Sequence, residues 1–194
     1  MARVRVLILR AAGINCDLET QHAWELVGAR PERIHVRALA EKPAQLAEYA
    51  ILTVPGGFSY GDDIAAGRIL AAQLRRHLGD ALRRFVERGG LVLGICNGFQ
   101  VLVQAGLLPF EGGRQHCTIA PNDPPGFQDR WVTLRAEVDH CAFLERGREY
   151  ALPIAHGEGR VLFSGDEATS RVLSNGHAAL RYVAGENGAR PDAP

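Results

Sequence analysis

The chain has 194 residues, enough for one domain with a substantial core, and its 46% hydrophobic and 23% charged content is an ordinary globular balance. Lysine plus arginine equals aspartate plus glutamate at 22 each, so the surplus positive charge of a general nucleic-acid binder is missing. No run approaches the roughly 20 apolar residues that span a bilayer, and Cys16, Cys96, Cys117 and Cys141 form no C-x-x-C pair, which argues against a membrane span, a disulfide framework or a zinc site and for a reducing cytoplasm.

Val4-Arg5-Val6-Leu7-Ile8-Leu9 reads as a first strand, followed by a loop containing Gly13. Asp17 is the expected N-cap of a helix that runs to Val27 and stops at Gly28. The pattern predicts strands over 34–39 and 50–54, the latter broken abruptly by Pro55-Gly56-Gly57. Helices follow over 65–78 and 81–88, the second capped by Asp80 and ended by Gly89-Gly90. Leu91-Val92-Leu93-Gly94-Ile95 is a short apolar run, read as a buried strand, and 99–105 is helical up to Gly106. After Cys117 the chain turns to strand-like alternation over 131–138 and 160–164, with a turn-rich connection at Asn122-Asp123-Pro124-Pro125-Gly126. Residues 185–194 read as a polar tail or as part of a loop. Strands alternating with helices predict an α/β fold, a mostly parallel sheet with helices on both faces, whose chemistry gathers at the carboxyl ends of the strands.

Gly94-Ile95-Cys96-Asn97-Gly98 places one cysteine where a strand turns into a helix. Glycines two residues either side permit the tight turn, as in the nucleophile elbow G-x-S-x-G, and the amide dipoles at the helix start favour negative charge on the sulfur. A cysteine here is either such a nucleophile or a structural residue in a Gly-rich turn. A thiol attacking a carbonyl needs an oxyanion hole, for which the Asn97 N–H and an N–H of Gly56 or Gly57 are the candidate donors. His22, His35, His77, His116, His140 and His177 have no metal-ligand spacing, and no metal site is expected.

Two longer stretches are more specific. Val54-Pro55-Gly56-Gly57-Phe58-Ser59-Tyr60-Gly61-Asp62-Asp63 with Ala66-Gly67, and Gly94-Ile95-Cys96-Asn97-Gly98-Phe99-Gln100-Val101-Leu102 with Gly106-Leu107-Leu108-Pro109, closely resemble the glutaminase subunits of phosphoribosylformylglycinamidine synthase. Gly13-Ile14-Asn15-Cys16-Asp17, Arg130-Trp131-Val132 and Ala155-His156-Gly157-Glu158-Gly159-Arg160 fit the same family in order, to about Tyr182. The resemblance implies a class I glutamine amidotransferase fold of flavodoxin-like type. It also implies that Cys96 attacks the side-chain amide of glutamine, releasing ammonia and leaving a thioester that is hydrolysed to glutamate. The ammonia would pass to a larger ATP-dependent synthetase subunit, with a small bridging subunit, to make formylglycinamidine ribonucleotide in purine synthesis. No cofactor is implied in this chain, ATP and magnesium belonging to the partner. By the same analogy Gln100 lies near the glutamine pocket, while 58–63 and 156–160 lie near the partner-facing rim.

The chain departs from the family at one point that matters. The His-Pro-Glu segment that completes the family's triad does not occur, so residues 1–194 are expected to be a single amidotransferase domain lacking its C-terminal segment. His156 and Glu158, spaced to share one face of an extended segment, are the candidate substitute base. The alternatives are a truncated or non-catalytic binding or regulatory subunit of the same complex, or a different elbow-cysteine hydrolase. The Gly-Phe-Ser-Tyr-Gly-Asp-Asp and Asn-Gly-Phe-Gln runs argue against the last.

Overall fold

The structure is a computed structural model that describes residues 3–62, 67–110 and 114–183. The chain divides into two compact units, residues 1–115 and 116–194.

In the first unit Arg5–Arg10 (β1), Arg30–His35 (β2), Ile51–Val54 (β3) and Leu91–Gly94 (β4) form a parallel sheet in the order β2-β1-β3-β4. Val6, Leu7, Ile8 and Leu9 are all fully buried, as in a parallel strand covered on both faces. Side-chain alternation sorts those faces. Leu7, Leu9, Leu52 and Val54 join one cluster with Leu39, Leu70, Phe85 and Val101. These last come from the helices Val36–Glu41 (α2), Arg68–Gln73 (α3), Gly79–Glu87 (α4) and Asn97–Gln104 (α5). On the other face Thr53 accepts a 3.0 Å hydrogen bond from the Trp24 indole, on the helix Asp17–Leu26 (α1). The fold is therefore the α/β arrangement that the alternating pattern predicts.

Leu70, Leu74, Leu78 and Leu82 recur every four residues and all sit in the core. A helix of 3.6 residues per turn would rotate that stripe off the sheet. A π turn over Leu74–Leu78, between α3 and α4, winds more slowly and keeps the stripe facing inward.

Several boundaries differ from expectation. The second strand ends at His35, and 36–39 is helical, because the His35 Nδ1 accepts the Arg37 N–H at 3.2 Å and caps α2. Cys16, not Asp17, holds the cap position of α1. Asp17 lies in the first turn, nearly buried, with Arg10 Nε at 2.8 Å and Arg33 Nη1 at 3.1 Å. Asp80 likewise lies inside the first turn of α4 and pairs with Arg83 at 2.9 Å. Positions 65 and 66, the expected start of α3, lie outside the described residues, as does the tail over 185–194.

The second unit is antiparallel. Cys117–Pro121 (β5) pairs with Glu158–Phe163 (β8), while Gln128–Ala136 (β6) lies between Glu149–His156 (β7) and Leu180–Tyr182 (β9). A helix over Asp166–Ser174 (α6) follows β8. Among the described residues, no helix is long and apolar enough to cross a membrane.

Two charge clusters in the first unit yield predictions. Asp17→Ala leaves Arg10 and Arg33 without their shared carboxylate, at an expected cost of about 1–3 kcal/mol in urea unfolding, reduced from the full penalty because both arginines stay partly exposed. The Tyr49 hydroxyl donates to Glu32 at 2.6 Å; burial first, then that carboxylate, push the phenol up to about 12. The folded state thus prefers protonated Tyr49, a contribution complete below about pH 10 and lost as pH rises through about 12. The urea midpoint of the parent chain should fall across that window, and that of Tyr49→Phe should fall less.

Candidate active site

β3 and β4 are parallel neighbours in register, Val54 opposite Gly94, so the loops that follow them leave the same edge of the sheet. The Ile95 N–H extends the ladder one step, donating to the Val54 oxygen at 3.1 Å. The chain then turns at Cys96, whose φ of 53° and ψ of −117° are rarely adopted by any residue with a side chain. The Gly98 N–H closes the turn on the Ile95 oxygen at 2.8 Å, and the Phe99 and Gln100 N–H groups both donate to the Cys96 oxygen, at 3.0 and 3.2 Å. Cys96 is exposed at the cap position of α5.

Both flanking glycines are required by space. A methyl group at position 98 would overlap the Val54 carbonyl oxygen. One at position 94 would stand 2.6 Å from Leu102 Cδ1 and 2.8 Å from the Gly98 oxygen. The start of α5 therefore rests on the end of β3 backbone to backbone.

Across the turn lies the Pro55-Gly56-Gly57 bend. A carbon on Gly56 would be 3.3 Å from Cys96 Cβ, so the two Gly-rich turns do face each other. A third loop clasps the second. The Phe58 and Tyr60 N–H groups donate to the Gly13 and Ala12 oxygens at 2.9 and 2.8 Å, Ile14 bridges Gly57, and the Cys16 N–H reaches the Gly56 oxygen at 3.4 Å. Gly57 has a φ of 137°, and a side chain there would press on Asn15 N at 2.7 Å.

Asn97 contributes more than its main chain. Its side chain is buried, its Oδ1 accepts the Ser59 N–H at 3.2 Å, and its Nδ2 donates to Gln100 Oε1 at 3.1 Å. Sequence reasoning marked Asn97 only as a backbone donor and missed this strut, because nothing local signals a contact 38 residues away. Gln100 is half-buried and held by that amide, rather than standing free on the helix. Cys16 was also missed as a neighbour of the site: its Sγ would lie 3.7 Å from a carbon on Gly56. Burial pushes the Cys16 thiol up, with smaller contributions from Glu19, Cys96 and Asp17.

His156 and Glu158 belong to the second unit. His156 closes β7 and Glu158 opens β8, in different sheets, because the chain bends at Gly157, whose oxygen accepts the Asn122 N–H at 3.0 Å. They do not share one extended face. The His156 Nδ1 lies 3.0 Å from Asn122 Oδ1, and Asn122 Nδ2 donates to the His156 oxygen at 2.9 Å. The imidazole lies against Gly159, where a methyl would overlap it. Burial, and then the charge of Arg130, hold the His156 pKa below its ordinary value. Glu158 is exposed. Among the described residues, no group of three His, Cys, Asp or Glu is placed to hold a metal.

The CobB/CobQ-like glutamine amidotransferase domain model matches residues 3–194. The chain is 47% identical to phosphoribosylformylglycinamidine synthase subunit PurQ of Dehalococcoides mccartyi, over 84% of this chain and 65% of that protein. It is 40% identical to the same subunit from Pyrobaculum aerophilum, over 94% of this chain and 81% of that one. It spans a little under two thirds of several of these relatives, 62% for one from Methanococcus maripaludis. Among solved structures, PurLQS from Thermotoga maritima aligns with a TM-score of 0.72 and 30% identity, over 98% of this chain and 80% of that chain. A second Thermotoga maritima structure, a glutamine amidotransferase at 16% identity, shares the fold with a TM-score of 0.53. On these matches the chain belongs to the CobB/CobQ-like glutamine amidotransferase family, and within it to the PurQ subunits.

Proposed function

We propose that this chain is the glutaminase subunit of phosphoribosylformylglycinamidine synthase, releasing ammonia from glutamine for a larger ATP-dependent synthetase subunit. One observation carries the reading: an exposed cysteine in a strained strand-to-helix turn, with Gly56 against its Cβ. In the proposed mechanism the Cys96 sulfur attacks the amide carbon of glutamine. The carbonyl oxygen becomes an oxyanion, held by the Asn97 N–H and an N–H of Gly56 or Gly57. Ammonia leaves as the thioester forms, and water then releases glutamate. The Asn97 side chain keeps Gln100 and the Ser59 loop in place around this centre.

The leaving nitrogen needs a proton and the attacking water needs a base. His-Pro-Glu does not occur in these 194 residues. The family match runs across both units, which supports reading 1–194 as one amidotransferase domain. His156 has the chemistry of the candidate base: its lowered pKa favours the neutral ring, and with Nδ1 engaged by Asn122, Nε2 is the ring atom left to accept a proton. Phe58, which is 64% exposed, and the 156–160 bend are assigned to the partner-facing rim, with a small bridging subunit completing the complex. Asp63, also assigned to that rim, lies outside the described residues. Thiol chemistry on an amide needs neither metal nor nucleotide in this chain. A cytoplasmic location is supported by four free cysteines.

Glutamine hydrolysis measured with the synthetase subunit present tests the assignment. Cys96→Ser should lower it by roughly 10³-fold or more while the unfolding midpoint stays near that of the parent. A glutamine-mimicking electrophile should label Cys96 and no other cysteine. Hydrolysis that survives Cys96→Ser would sink the mechanism. Gly56→Ala sets a methyl 3.3 Å from Cys96 Cβ, and displacement at the reacting centre should cost about 10- to 100-fold in kcat/KM with little change in stability.

A further inference from the structure

Cys16 and Cys96 are the two exposed thiols of the four, and they converge on one residue. A carbon on Gly56 would stand 3.3 Å from Cys96 Cβ and 3.7 Å from Cys16 Sγ. The missing side chain of Gly56 is thus the gap between them. Both cysteines hold cap positions, Cys16 of α1 and Cys96 of α5. Little holds the Cys16 sulfur where it is. Its hydrogen bond to Asn15 Oδ1 is 3.4 Å long, and the Cys16 N–H reaches Gly56 at the same distance.

We propose that Cys16 and Cys96 form a reversible disulfide when hydrogen peroxide oxidises the chain, and that this bond masks Cys96 and protects it from irreversible oxidation. The masking of activity rests on Cys96 being the nucleophile; the disulfide itself does not. The Cys96 sulfur attacks one peroxide oxygen, the O–O bond breaks, and water leaves with the thiol proton, giving a sulfenic acid. The Cys16 sulfur then attacks the Cys96 sulfur. The S–O bond breaks, and hydroxide takes the Cys16 proton and departs as water. Two thiols lose two electrons, which reduce one peroxide to two waters. A disulfide requires the two Cβ atoms about 3.5–4.5 Å apart, and the space that Gly56 leaves between Cys96 Cβ and Cys16 Sγ is where the bond would lie. Disulfides of this transient kind are the ones that occur in reducing compartments.

The test uses the 194-residue chain alone, treated with hydrogen peroxide, blocked with N-ethylmaleimide, digested with trypsin and mapped by mass spectrometry. The parent chain should lose two of its four thiols, yield a peptide linked through Cys16 and Cys96, and regain both thiols with dithiothreitol. In Cys16→Ser and Cys16→Ala, Cys96 should instead pass to sulfinic and sulfonic acids. The fraction recoverable by dithiothreitol should then fall at least tenfold below the parent at equal exposure. The proposal is overturned if peroxide oxidises Cys96 in the parent without the linked peptide. Equal recovery in parent and variants, or linkage of Cys96 to Cys117 or Cys141, would overturn it too. The readout is independent of catalysis. A chain that forms the linked peptide yet never hydrolyses glutamine supports the disulfide and counts against the proposed function alone.

Discussion

The contact between Gly98 and the Val54 carbonyl is the constraint on which the rest of the site depends. Because the first turn of α5 touches the last residue of β3 with no side chain between, the link from β4 into that helix must be very short. Ile95 and Cys96 alone span it. That brevity forces Cys96 to a φ of 53° and stands it at the cap of α5. It also sets Cys96 beside the bend that follows β3, since β3 and β4 are hydrogen-bonded neighbours. Gly94 serves the same contact from the other side, leaving room for Leu102 and the Gly98 oxygen. A larger residue at 94 or 98 would lift the helix and turn the sulfur away from Gly56.

Around this contact the polar groups act as ties between loops. The backbone of 12–16 takes over the Pro55–Tyr60 segment through the Gly13 and Ala12 carbonyls, and Asn97 reaches from α5 to Ser59. Asp17 fixes the far end of the first loop by pairing with Arg10 and Arg33 at the ends of β1 and β2. Each tie joins a loop to an element that the buried sheet already positions. The second unit repeats the logic in another form, with Asn122 holding the bend at Gly157 by its main chain and both atoms of its amide.

What could be read in advance follows from where the information is local. β1 and β3 are buried apolar runs and β4 is an apolar run, half-buried rather than buried as expected and followed by an exposed Ile95, so the positions of all three are plain; β2 is an edge strand that is mostly polar over Arg30-Pro31-Glu32-Arg33, and the apolar residues at 36 and 39 draw the assignment four residues too far. Asp17 and Asp80 looked like caps because aspartate favours that position, but each lies inside its helix and pairs with arginine instead. Glycine spacing announced the two facing turns, since only glycine tolerates such approaches. The Asn97 strut and the nearness of Cys16 were hidden, because both arise from contacts between segments distant in the chain. The spacing of His156 and Glu158 suggests one extended segment, and the chain bends at Gly157 instead.

Strain at Cys96 raises the question of what sustains it without a ligand. A side-chain-bearing residue in so sparsely populated a conformation costs about 1–3 kcal/mol. Four backbone hydrogen bonds bracket the turn, from Ile95 to Val54, Gly98 to Ile95, and Phe99 and Gln100 to Cys96, each contributing about 0.5–1.5 kcal/mol net. Their sum matches or exceeds the strain, so the conformation is held by the fold itself rather than by substrate. The Phe99 and Gln100 bonds end on the Cys96 carbonyl, the group a relaxed backbone would have to rotate. Relaxing φ therefore breaks two bonds at once and pulls Gly98 off Val54. A backbone fixed in this way sets where the Cys96 Cβ stands before any ligand arrives, which is the preorganisation that the nucleophilic role proposed for Cys96 calls for.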